Sequence, residues 1–293
     1  SGRKRGAAGK RRERRGMMEQ DEEMVQMVAG MAGPGALTDV DDREVRITPP
    51  CTVNGQIASG SVDRYRFEGR RGQRLVVTVL ARALVPYLAD AVPGWFQPVL
   101  VLCDAQGREV AYNDDYRFNP DPVLFCTLPE DGRYTLEIRD AIYRGREDFV
   151  YRVRLGELPF ITRVFPLGGP CGRETVAEID GYHLPADTLT LGAGMTEPGI
   201  FGTRLSAGPL RSNEILYAAD TPPEVLEAPT GARKNGAQPV TLPQTVNGIL
   251  AVPGEEDMFT FEGHAGDELV AEVTARRLGS PLDGLLRLTD TRG

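Results

Sequence analysis

The stretch TVNGQIASGSVDRYRFEGRRGQRLVVTVLARAL, from Thr52 to Leu84, recurs as TVNGILAVPGEEDMFTFEGHAGDELVAEVTARRL from Thr245 to Leu278. The copies align through Asn54/Asn247, Asp63/Asp257, Tyr65/Phe259, Phe67/Phe261, Gly69/Gly263, Gly72/Gly266, Leu75/Leu269, Val79/Val273 and Leu84/Leu278, with one extra residue in the turn of the second. A self-similar segment builds the same supersecondary unit each time it occurs, so whatever fold the first copy adopts constrains the second. The second copy reaches LLRLTDTRG at Gly293, the counterpart of VLVLCDAQG ending at Gly107, and the chain opens on Ser1. The expectation is an internal stretch of a longer array, with part of the function residing outside it.

Periodicity gives the fold class. In DRYRFEG, Tyr65 and Phe67 alternate with Arg64 and Arg66, and in QRLVVTVL the residues Leu75, Val77 and Val79 alternate with Val76 and Thr78. A period of two is that of half-buried strands. Further strands are predicted at Val99–Cys103, Glu109–Ala111, Leu124–Leu128, Tyr134–Ile138 and Tyr151–Leu155, separated by turn residues at Glu68–Gly69, Arg71–Gly72, Ala105–Gly107 and Pro129–Gly132. Short strands at this rhythm predict a β-sandwich. The fold class is therefore all-β, as tandem sandwiches after a charged N-terminal segment. The predicted boundaries are a disordered linker over 1–45, a sandwich over 46–158, a second over 159–222, a linker over 223–239, and the first half of a repeat of the first sandwich over 240–293.

The ordered motifs VNGxI, VDRYRFEGRRGQRLVVTV, VLCDAQGREVAYNDD and LPEDGRYTLEIRD resemble the bacterial pre-peptidase C-terminal domain. The resemblance implies a jelly-roll-like sandwich found beside catalytic and adhesive domains of secreted proteins, complete from about Ile47 to Leu158 and half-present from Val240. This sequence departs from the pattern by an insertion, VPYLADAVPGWFQP, where the second copy has GSPLDG. Between the copies, PFITRVFPLGGPCG followed by VAEIDGYHL, with Ile179, Gly181 and Leu184, resembles the immunoglobulin-like fold of the IPT/TIG family. Neither resemblance implies an enzyme, and fold analogy alone supplies no substrate. The first implies a secreted or cell-surface location, with the export signal outside this stretch.

Composition narrows the function classes. The segment RKRGAAGKRRERR carries eight bases and one acid; removing it leaves 26 bases against 41 acids, a net charge of −15. Displacing condensed counterions from nucleic acid needs a basic face, which such a chain lacks. The basic tail itself has no interleaved aromatic for base stacking, so no specific nucleic-acid partner is expected. Met17, Met24, Met27 and Met31 fall at helical spacing; the stripe is short and uncapped, and a transient helix in a linker is preferred to a partner-binding one. No apolar run is long enough to span a membrane. Cys51, Cys103, Cys126 and Cys171 have no zinc-ligand spacing, and their disulfide state stays open.

Three constellations can carry chemistry. A Ser/His hydrolase needs an imidazole base, and the only histidines are His183 and His264; the second replaces Arg70 of the first copy in a turn, so no catalytic residue is assigned. Asn113, Asp114, Asp115 and Asp121 form an acidic loop, with Asp104 and Asp140 on neighbouring loops, whose hard oxygens suit Ca²⁺; the competing reading is Asx turns that satisfy loop amides. Trp95, Phe96, Tyr112 and Tyr116, with Tyr87 nearby, are candidate ligand-binding aromatics able to stack on a sugar or anchor a peptide, while Trp95 and Phe96 can equally fold inward and cap the sandwich. The expected function is a non-catalytic accessory, adhesion or binding module, monomeric and directed at an extracellular polysaccharide or protein matrix. The alternatives are an accessory part of a secreted peptidase or other hydrolase, aiding processing or docking, and a structural spacer.

Overall fold

The computed structural model describes residues 44–86, 94–229 and 236–290. Residues 1–43 of the linker expected over 1–45, with its methionine stripe, and the 87–93 portion of the insertion, with Tyr87, lie outside the described residues. The chain divides into two compact units, Ser1–Glu157 and Leu158–Gly293.

The described residues of the first unit form nine strands: β1 (Glu44–Arg46), β2 (Cys51–Gln56), β3 (Asp63–Gly69), β4 (Arg74–Leu80), β5 (Pro98–Cys103), β6 (Glu109–Asn113), β7 (Val123–Thr127), β8 (Gly132–Asp140) and β9 (Val150–Gly156). They form two sheets, ordered β1-β3-β8-β5-β6 and β2-β9-β4-β7. Glu44 and Val45, which the sequence reading leaves in the linker, belong to β1, paired parallel with β3. Registers follow the alternation. Tyr65 faces Leu136 and Phe67 faces Tyr134 across β3–β8, while Val77 faces Leu155 and Val79 faces Val153 across β4–β9. These side chains fill one core with Leu75, Leu100, Leu102, Leu124, Cys126 and Tyr151. Gly69 closes β3 because a Cβ there would overlap Leu128, and Gly55 lies under the Tyr151 phenol. The Tyr151 hydroxyl donates to Asp63 Oδ2 (2.5 Å) and is hydrogen-bonded to the Tyr65 hydroxyl, which satisfies the polar tips of both buried rings.

The second unit contains β10 (Phe160–Phe165), β11 (Gly168–Pro170), β12 (Thr175–Tyr182), β13 (Thr188–Leu191), β14 (Gly199–Thr203), β15 (Ser206–Ala207), β16 (Leu210–Arg211) and β17 (Ile215–Asp220). Two three-stranded sheets, β10-β12-β13 and β11-β17-β14, enclose Ile161, Ala177, Ile179, Leu191, Ile215, Tyr217 and Ala219. Gly181 is required where β12 passes β10, since a Cβ would overlap the Phe160 carbonyl.

The same unit continues through β18 (Glu224–Leu226), β19 (Ala237–Pro239), β20 (Thr245–Asn247) and β21 (Met258–Thr260). Two of these strands fall where the sequence reading expects a linker over 223–239. The parallel pair β19–β21, Ala237↔Met258 to Pro239↔Thr260, repeats β1–β3, Glu44↔Arg64 to Arg46↔Arg66. The next bond repeats too: Val240 N–H to Thr260 O (2.8 Å) matches Ile47 N–H to Arg66 O (2.9 Å). Beyond β21 the likeness stops. The counterpart of β4, around Leu269–Val273, is irregular, and β20 pairs parallel with β18 whereas β2 pairs antiparallel with β9. In the first unit β3 is held by β8, and β4 by β7 and β9. Segments resembling β7–β9 do not follow β21 within these 293 residues.

Candidate functional site

The antiparallel order of the first sandwich brings four connections to one end: β2–β3, β4–β5, β6–β7 and β8–β9. Two buried carboxylates tie the last three of these together. Asp121, in the β6–β7 loop, is 3% exposed and accepts the backbone N–H groups of Ala81 (3.2 Å), Arg82 (2.7 Å) and Ala83 (2.9 Å) at the end of β4. Asp140, at the end of β8, is fully buried. It accepts from the N–H groups of Gln97, Ile142 and Arg144 and from the Arg144 guanidinium, Nε to Oδ1 at 3.0 Å and Nη2 to Oδ2 at 3.1 Å. Burial pushes the Asp140 carboxyl upward, but Arg144 and the converging amides outweigh it and hold the group below the ordinary carboxylate range.

The insertion rejoins the sandwich through arginines. Arg144 Nη2 donates to the Trp95 carbonyl (2.9 Å) and Arg146 Nη2 to the Gly94 carbonyl (3.0 Å), while Arg146 also pairs with Asp148. Phe96 turns inward: it is buried and stacked on Phe149, with ring centroids 5.3 Å apart. That corrects its assignment as a ligand-contacting side chain, because its apolar ring finds a core partner directly beneath the loop. Trp95 is half-buried with the Arg82 guanidinium 4.4 Å over its ring. Its indole N–H is buried with no hydrogen-bond partner among the described residues. The recess these residues line with Ala81, Val85 and Asp148 is too narrow for a water molecule.

The remaining candidates disperse. Asn113 donates to the carbonyls of Asp115 (2.7 Å) and Val123 (2.6 Å), closing the loop around its own amide. The side-chain oxygen of Asn113 accepts the Asp114 N–H, and Asp114 accepts the Tyr112 hydroxyl. Among the described residues no group of three or more acidic, cysteine or histidine side chains is placed to hold a metal ion. Asp104 lies at the opposite end of the sandwich, where it caps the β5–β6 turn through Gln106 and Arg108, so it does not join this loop. Tyr112 is exposed; Tyr116 packs edge-on against Phe125 with Arg117 over its ring. His183 follows β12 in a left-handed conformation, and His264 projects into solvent from a turn. All four cysteines are free thiols, and burial pushes Cys51 up to about 11.

Sequence reasoning missed the arginine clamps and the Asp63–Tyr151–Tyr65 chain. The alternation of Arg144, Arg146 and Asp148 around Gly145 was the available clue to the first; the second joins residues too far apart in sequence to be read as a pair.

No family model matches the chain. It is 39% identical over 77 residues to a probable subtilase-type serine protease of Deinococcus radiodurans, a match covering 26% of this chain and 10% of that protein. The chain thus spans about a tenth of the length of this curated relative. Among solved structures, the pre-peptidase C-terminal domain of a Bacillus anthracis collagenase aligns at 14% identity and a TM-score of 0.29, covering 40% of this chain and 99% of that domain. The Salmonella Typhimurium periplasmic inhibitor of g-type lysozyme aligns at 18% identity and a TM-score of 0.27, covering 39% and 96%. No helix among the described residues is long and apolar enough to cross a membrane.

Proposed function

We propose that this chain is a non-catalytic accessory part of a secreted, protease-related polypeptide. The observation that carries the reading is the 77-residue stretch shared with a subtilase-type protease. The pre-peptidase C-terminal resemblance of residues 46–158 and the IPT/TIG resemblance of 159–222 are parts of the same proposal. Within this reading the loop end of the first sandwich docks an extracellular polysaccharide or protein matrix, through Trp95, Arg82, the exposed Tyr112 and the partly buried Tyr116, and the chain acts as a monomer.

The test compares the full chain with Trp95→Ala for retention on insoluble polysaccharide and protein matrices, with Tm measured in parallel. Docking through Trp95 weakens retention by at least about tenfold, or ~1.4 kcal/mol, and leaves Tm nearly unchanged. If Tm collapses instead, by the ~3–5 kcal/mol of a lost core aromatic, Trp95 is a packing residue. Retention of neither protein would leave the spacer role.

A further inference from the structure

The first sandwich carries its apolar exposure at one end. Leu80, Leu84, Tyr112, Phe118, Ile142 and Tyr143 are the exposed large apolar side chains among the described residues of this unit, and all six lie where β4 and β6 finish or on the connections that follow β4, β6 and β8. The turns at the other end expose polar residues such as Arg71, Gln106 and Glu130. Scattered apolar residues are ordinary on a surface, whereas a set gathered at one end marks an interaction surface. The strand orders β3-β8-β5-β6 and β2-β9-β4-β7 run in step, so the connections β2–β3, β8–β9, β4–β5 and β6–β7 cross between the sheets side by side. Spaced like the strands, ~4.8 Å apart, they form a row roughly 15 Å long. Ile142 and Tyr143, then Leu84, then Phe118 come from successive members of that row. Arginines accompany them: Arg139 stands over Tyr143, Arg82 over Trp95 and Arg117 over Tyr116.

We infer that this row is a docking surface for residues 17–31 of the same chain, which lie along it as a helix. β1 starts at this end, beside β3 and so beside the β2–β3 member of the row, and the chain before Glu44 therefore approaches from that side. Residues 32–43 reach up to about 40 Å when extended, more than the row requires. Met17, Met24, Met27, Val28 and Met31 share one face at helical spacing, and a helix over 17–31 is ~22 Å long, enough to lie along the whole row. Gly33, Pro34 and Gly35 end that helix before β1. Methionine suits an uneven surface of aliphatic and aromatic tips because its side chain adapts to irregular gaps. Glu19, Asp21, Glu22 and Glu23 place negative charge in the N-terminal half, to complement Arg82 and Arg117 in the far part of the row. A helix this short is marginal alone; tethering to the surface raises its local concentration there, and docking supplies the burial it lacks. The point of entry sets the direction: Met31 meets Ile142 and Tyr143, and Met17 meets Phe118 beside Arg117. The inference does not depend on matrix docking at this end, although the helix would compete with a matrix for the same side chains.

The test uses the full chain with a photo-crosslinking residue in place of Met31 or, in a second protein, of Met17. Adducts are expected on 141–143 from position 31 and on 82–84 or 117–119 from position 17, within single chains when light and isotopically heavy chains are mixed. Hydroxyl-radical modification of Leu84, Phe118 and Tyr143 is read in parallel, with Tm as the control for folding. Met24→Gln/Met27→Gln/Val28→Gln removes the apolar stripe while preserving helix propensity. It is expected to raise modification at least about threefold, which requires the helix to be docked in roughly two-thirds or more of the parent chains. Met18→Gln/Val25→Gln, off the stripe, should leave modification unchanged. Adducts without preference for these loops overturn the inference, as do adducts formed mainly between light and heavy chains. Equal modification in the parent and the stripe variant also overturns it, and so does an equal rise in the Met18→Gln/Val25→Gln protein, which would mean that no particular face of the segment is used.

Discussion

Asp121 and Asp140 do the same work from different loops: each gathers several backbone N–H groups that the turns at the end of the sandwich leave unpaired. A carboxylate in this position has no need of a cation, because amide donors already complete its shell. Asp121→Ala is expected to cost about 2–4 kcal/mol by stranding three amides, with the same fall in Tm in chelator and in millimolar calcium; a fall seen only in chelator would assign the loop to metal. The pH behaviour of Asp140 follows from its depressed pKa. The folded state favours the ionised form, so its contribution is fully present above the unfolded carboxyl pKa of about 3.9 and is lost as pH falls through the lower folded value. The Tm difference between the parent and Asp140→Asn should therefore narrow below about pH 4. Asp63 has the opposite sign: burial raises its carboxyl despite the Tyr151 hydrogen bond, so the folded state favours the protonated form. Asp63→Asn should compare more favourably with the parent at neutral pH than in acid, read as Tm at both.

Strands with clean alternation were legible in the sequence because burial on one face writes itself into every second residue, as in Tyr65–Phe67 and Tyr134–Leu136–Ile138. β18 and β19 were not. They are three residues long, they lie in a stretch rich in proline and glycine, and what makes them strands is the chain they pair with rather than their own composition. The reverse error arose around Leu269–Val273, which has the pattern of β4 but lacks the pairing that β7 and β9 give β4. Pattern states a capacity to pair, and pairing needs a partner. Phe96 was ambiguous for a similar reason: nothing local distinguishes an aromatic ring over Phe149 from one facing solvent. At this scale Gly55→Val should be among the most damaging single changes to the first sandwich, since its side chain would occupy the space of the Tyr151 phenol; loss of a cooperative thermal transition would report it.

Across the molecule, burial is uneven, and resistance to opening should follow it. Limited proteolysis of the full chain is expected to cut first within 262–290, while 44–157 survives as a band identifiable by mass. Early cleavage inside β3 or β8 would contradict that ordering. The direction of the chain through the first sandwich carries a mechanical consequence. β1 starts at the end that bears the Trp95 loop, and β9 finishes at the opposite end beside Cys51. Tension drawn along the backbone would pull β1 lengthwise past β3, and β9 lengthwise past both β2 and β4, loading whole ladders in shear instead of unzipping them a bond at a time. A module threaded in this way can bear load between whatever it tethers, with the short β1 ladder yielding first and the doubly paired β9 last.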